Sequence, residues 1–114
     1  MQSEFPLYFP YLMAQLLALY HQPADPAAFD RYYFETHVPL AKTIPGLRSY
    51  IVNGSPVHVI AGSPAPYLIA ELSFDTTADL QAALSSAEGQ AAAGDLSNFA
   101  QAGVTLMVFE TKSA

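Results

Sequence analysis

The order of the patterned segments restricts the fold of this chain more than any other feature. Residues 12–20, 47–52, 67–74 and 103–111 read as strands, and helix signals follow the first and the third of them. After the first strand, Asp25-Pro26 opens a helix, because Asp caps free amides and Pro loses nothing in a first helical turn. That helix runs through Phe29, Tyr32, Tyr33, Thr36 and His37. Pro39 lacks the N–H that would bond back to Glu35, so the helix is expected to end or bend there, before a Pro45-Gly46 turn.

After the third strand, Thr76 followed by Asp79 has capping-box spacing, and a second helix is expected over residues 77–85. Residues 88–93 suggest a short extra turn, with Asp95 capping another that reaches Phe99. Residues 53–66, rich in Gly, Pro and Asn, read as a loop or small hairpin. The aromatic, proline-spaced residues 1–11 read as an extended arm before a domain spanning 12–111. Strand, helix, strand, strand, helix, strand is the split βαβ order of an α+β, ferredoxin-like fold, with a four-stranded antiparallel sheet carrying both helices on one side.

Alternation gives that sheet two faces. One collects Leu16, Ala18, Leu68, Ala70, Leu72, Phe74, Val104, Leu106 and Val108, as a helix-packed face should. The other is assigned Met13, Gln15, Leu17, Leu19, Arg48, Tyr50, Tyr67, Ile69, Glu71, Thr105, Met107 and Phe109, apolar apart from a sparse polar row. A sheet with one face in water alternates more cleanly. Withdrawing ~300 Å² of apolar surface from water yields about 7 kcal/mol, which favours a homodimer. The polar row then marks either a wet interface margin or the wall of a ligand pocket.

Composition narrows the function. The 114 residues suit one domain, 52% are hydrophobic and only 12% are charged, so the chain should fold and show adhesive surface. Four scattered basic residues against ten acidic ones leave no stripe for phosphates, and no nucleic-acid partner is expected. No apolar run is long enough to span a membrane, and no signal peptide is evident. The absence of cysteine excludes disulfides and thiolate chemistry and fits a cytoplasmic protein.

Residues 32–40, YYFETHVPL, hold the densest chemistry. Tyr33 and His37, four apart, share a helix face, and His37 near the helix end is placed to move a proton with Tyr33 as donor or orienter. The alternative is structural: His37 caps the last turn while Tyr33 packs. Glu71, mid-strand, needs Arg48, His37 or solvent, with a salt bridge to Arg48 or an acid/base role as the alternatives. Gln15, Tyr50, Tyr67 and Phe99 are candidates to contact a substrate, with core or interface packing as the alternative. No metal spacing, phosphate loop or nucleophile motif is present.

The stretch PADPAAFDRYYFETHVPLAKTIPGLRSY resembles the hallmark region of the EthD family. The YY pair, His37-x-Pro39-Leu40, Pro45-Gly46-Leu47 and Asp95-x-x-x-Phe99 carry the resemblance, which runs from about Leu12 to Glu110. It implies a dimeric α/β barrel of ferredoxin-like subunits, with a ligand between the first helix and the sheet and His37 as the helix histidine. Relatives in that superfamily include isomerases, cyclases, cofactor-free monooxygenases and haem enzymes. The family takes its name from an ether-degradation gene cluster in which its role is not established. Three functions follow: a cofactor-free oxidoreductase or isomerase acting on a small hydrophobic oxygenated compound, a non-catalytic carrier of such a compound, or a structural partner of an oxygenase. A lone histidine also leaves haem ligation open.

Overall fold

The computed structural model describes residues 13–114, so the arm expected over residues 1–11 lies outside the described residues. The element order is β1 (Ala14–Tyr20), α1 (Pro26–Tyr32), a π-helical turn (Tyr33–His37), α2 (Val38–Ala41), β2 (Ser49–Val52), β3 (Leu68–Phe74), α3 (Thr77–Ser85), α4 (Ala87–Phe99) and β4 (Val104–Glu110). The sheet has the order β2-β3-β1-β4, with every neighbour antiparallel. This is the ferredoxin-like split βαβ fold.

The barrel expected from the family resemblance is not formed. The sheet is open, with β2 and β4 as its two edges and no pairing between them. Closure requires strands to tilt and shear around a common axis. Four strands with the usual interstrand twist, one of them only four residues long, make a twisted open layer instead.

The caps sit where the sequence places them. The Asp25 carboxylate accepts from Ala28 N at 3.1 Å, and Thr76 Oγ1 accepts from Asp79 N at 3.0 Å. At Pro39 the outcome differs. The helical path neither ends nor breaks but widens before the proline, with Val38 N bonding to Tyr33 O, and then continues through α2. The inserted residue of such a turn absorbs the register lost at a proline.

A second difference lies after α3. The two short turns expected around residues 88–99 are one helix, α4. Ser86 makes this possible, its hydroxyl donating to Ala83 O at the end of α3 and accepting from Gly89 N at 3.0 Å at the start of α4. The chain folds back so tightly there that a Cβ on Gly89 would lie 2.0 Å from Ala83 O, a backbone atom. Gly89→Ala should therefore cost about 1–3 kcal/mol through forced displacement of the α3–α4 corner. Thermal unfolding monitored by circular dichroism checks this, and an unchanged midpoint would contradict it.

The helices cover one face of the sheet, where Ala14, Ala18, Tyr20, Leu68, Ala70, Leu72 and Phe74 are buried. Register corrects the assignment of β2. Tyr50 lies opposite Leu72 and Val52 opposite Ala70, so both are on the helix-packed face, while Ser49 and Ile51 share the far face with Ser73 and Glu71. The alternation within β2 is as read, but alternation alone does not fix its phase against a neighbouring strand. The far face is largely apolar and no layer covers it among the described residues: Ile51 is 57% and Phe109 47% exposed, with Met107 also exposed. On edge strand β4, Leu106 and Val108 are exposed on the helix side as well.

Candidate active site

The first helical segment presents a row of aromatic side chains to the sheet. Phe29, Tyr33 and Tyr20 are buried together, with Phe99 of α4 closing against all three at ring separations of 5.5–5.7 Å. Such edge-to-face and tilted pairs add about 0.5–1.5 kcal/mol each beyond the area they bury. The cluster fixes the position of His37, which is only 5% exposed and lies between Phe99 (4.7 Å) and Tyr33 (5.4 Å).

His37 Nδ1 meets Asp95 Oδ2 at 2.9 Å, across 58 positions of sequence. Burial disfavours the Asp95 carboxylate, but hydrogen bonds from Tyr32, Asn98 and His37 outweigh it and hold the carboxyl below its ordinary range. An ionised carboxylate only accepts hydrogen bonds, so Nδ1 carries the proton. Nε2 is then the basic nitrogen, with no hydrogen-bond partner among the described residues.

The tyrosines behave as a second unit. Tyr33 is fully buried, its hydroxyl meets that of Tyr50 at 2.5 Å, and its ring packs edge-on against that of Tyr20 at 5.4 Å. Burial first, and mutual proximity second, pushes Tyr20 and Tyr33 far above the ordinary tyrosine value, and burial also raises Tyr50. All three are therefore neutral donors at physiological pH. Two hydroxyls joined by one bond carry two protons, which leaves one proton free, on Tyr33 or on Tyr50.

His37, Tyr20 and Tyr50 all line one cavity of about 210 Å³ between the sheet and α4. Small residues make the room: Ala18 and Ala70, opposite each other on β1 and β3, form the floor, and Gly89, Ala92 and Ala93 form the roof. Half-exposed Leu84, Leu106 and Val108 surround its mouth. Among the described residues no Asp, Glu, Lys or Arg lines it. An apolar cavity near 150 Å³ holds benzene, so this one is on the scale of a substituted six-membered ring, well short of a porphyrin. Among the described residues no group of three or more His, Asp or Glu side chains is placed to hold a metal.

The other residues singled out in the sequence lie elsewhere. Glu71 sits on the far face opposite Leu17 and Ile51, and Arg48, exposed, pairs with Asp75 at 3.3 Å, so neither approaches His37 and they do not pair with each other. Gln15, also on the far face, accepts from Ser73 Oγ at 2.9 Å. Tyr67 donates to Asp30 at 2.8 Å and lines a separate pocket under the 53–66 loop. Phe99 contacts His37 by its ring, and Tyr33 reaches the site through Tyr50. Asp95 was legible as a cap and as part of the family motif but not as the partner of His37, because nothing local in a helix of alanines and glycines signals a partner so far away in sequence.

Comparison with known proteins agrees with this architecture. A model of the EthD domain matches residues 21–103. An uncharacterised 11.0 kDa protein from the thcB–thcC intergenic region of Rhodococcus erythropolis is 40% identical over 95 residues, covering 83% of this chain and 91% of the relative. An ethyl tert-butyl ether D family protein from Bacillus halodurans superposes with a TM-score of 0.77 at 41% identity, covering 87% of this chain and 98% of that one. A dimeric ferredoxin-like protein of unknown function from Thermobifida fusca shares the fold, with a TM-score of 0.63 at 15% identity over 95% of this chain and 99% of that one. With family model, close relative and fold in agreement, the chain belongs to the EthD family.

Proposed function

We propose that the cavity beside His37 takes a small, neutral, hydrophobic oxygenated compound, and that His37 Nε2 moves a proton on it. The observation that carries this reading is the Asp95–His37 pair, whose basic nitrogen belongs to a side chain lining an apolar cavity. A charged ligand is disfavoured, since the lining offers no counter-charge to offset desolvation. For a carbonyl compound, Nε2 takes a proton from the carbon next to the carbonyl. The electron pair moves to the oxygen, giving an enolate that accepts a hydrogen bond from the Tyr20 or Tyr50 hydroxyl, both of which line the cavity. Asp95 stabilises the resulting imidazolium, and return of the proton to the same or another carbon completes exchange or isomerisation.

Incubation with cyclohexanone in D2O tests this by NMR. The protein should accelerate exchange of the protons beside the carbonyl, and His37→Asn should lower that rate by about 100-fold or more. Equal rates for both proteins would contradict it. A carrier function is the second reading, favoured by a cavity lining in which the described residues place no charged side chain. Saturable binding without exchange in either protein would identify it.

The subunit is further proposed to act as a homodimer. Exposed Ile51, Met107 and Phe109 on the far face support this, as does the dimeric state named for the Thermobifida fusca fold relative.

A further inference from the structure

Asp95 is held from both sides. Its Oδ2 faces His37, while Oδ1 accepts from Tyr32 Oη at 2.6 Å and from Asn98 Nδ2 at 2.9 Å. Tyr32 and Asn98 do not line the cavity. They line a different groove, of about 530 Å³, between α1 and the end of α4, so the carboxylate divides an outer groove from the inner cavity.

The helix geometry explains how Tyr32 comes to be there. Residues five apart on a regular α-helix project about 140° apart, so Tyr32 and His37 would not reach one carboxylate. The π turn stacks residues five apart, as its Val38 N to Tyr33 O bond shows, and brings both side chains to Asp95. The Tyr32 ring also stacks on Phe99 at 5.4 Å, and Phe99 packs on the His37 ring.

We infer that Tyr32 and Asn98 are positioning residues: by occupying Oδ1 from the outer groove they keep Asp95 ionised and turned toward His37, which fixes the Nδ1–H tautomer and leaves Nε2 basic toward the cavity. The inference rests on the reading of His37 as the proton-transfer group. Tyr32 from α1 and His37 from the π turn are the titratable groups that act on Asp95, and the Asp95 charge in turn raises Tyr20 of β1. Burial alone drives the carboxyl toward its neutral form, and the donors on Oδ1 are among the bonds that oppose this. Without them a protonated Asp95 donates to Nδ1, the ring proton moves to Nε2, and the basic nitrogen is lost from the cavity side.

Long-range 1H–15N NMR of the full chain reads the tautomer of neutral His37 without any substrate. In the wild type Nδ1–H should dominate. In the double variant Tyr32→Phe/Asn98→Ala the Nε2–H form should rise about fivefold or more, with Tyr32→Phe alone intermediate. The kcat for cyclohexanone exchange should fall about tenfold while KM changes less than about twofold, the pattern of a lost transition-state contribution. Tyr32→Phe keeps the ring stacked on Phe99 and carries the test if the double variant unfolds. A folded variant with the wild-type tautomer ratio overturns the inference. Absence of exchange in the wild type removes the proton-transfer reading instead, and leaves the tautomer ratio to decide the positioning of His37.

Discussion

Asp95→Asn should lower any turnover that depends on His37 by about 10²–10⁴-fold while leaving the fold intact. The substitution preserves shape. The amide oxygen still accepts from Tyr32 and Asn98, but the NH2 group then faces His37 where Oδ2 did. Two donors cannot face each other, so Nδ1 gives up its proton and Nε2 acquires it. The base becomes an acid of the wrong orientation.

The same variant has a pH signature. Because the folded-state value of Asp95 is depressed, its ionised form contributes stability that is fully present above the unfolded carboxylate value, near 3.9, and is lost as pH falls through the lower folded value. The stability gap between wild type and Asp95→Asn should therefore be widest near pH 6 and narrow below about pH 3.5. Melting curves at both pH values check this, and a gap that widens in acid would contradict it.

Ala70→Phe should reduce affinity for 4-methylphenol by about 100-fold or more, roughly 2.7 kcal/mol, without unfolding the domain. Ala70 lies on the cavity floor, opposite Ala18. A benzene-sized ring fills most of about 210 Å³, and no room remains for a second. The added ring occupies existing space, so the overpacking cost of about 1–3 kcal/mol is partly offset by its burial. Isothermal calorimetry gives the affinity, and near-wild-type binding by Ala70→Phe would place the ligand outside this cavity.

Local physics made much of the fold legible in the sequence. Asp25-Pro26, Thr76-x-x-Asp79 and the alternation of β1, β3 and β4 each determine a neighbouring bond or face, and each is present in the structure. His37 was legible as a candidate because a histidine among tyrosines on a helix is locally conspicuous. What local pattern could not supply is anything set by a distant partner. The face of Tyr50 depends on its pairing with Leu72, and the importance of Asp95 depends on Tyr32 and His37. The pairing expected for Glu71 with Arg48 failed for the same reason: Glu71 is on the far face as read, but the register of β2 turns the side carrying Arg48 and Tyr50 the other way and leaves Arg48 beside Asp75. The π turn escaped because Pro39 signals a disruption without saying whether the helix stops or widens.

The most direct test of the central claim is an intermolecular NOE experiment on protein with labelled alanine methyls, titrated with 4-methylphenol. The ring protons of the probe should show NOEs to the methyls of Ala70 and Ala92, with the His37 Nε2 resonance shifting at the same midpoint. NOEs confined to the outer groove or to the far face of the sheet, with His37 unmoved at saturation, would contradict it.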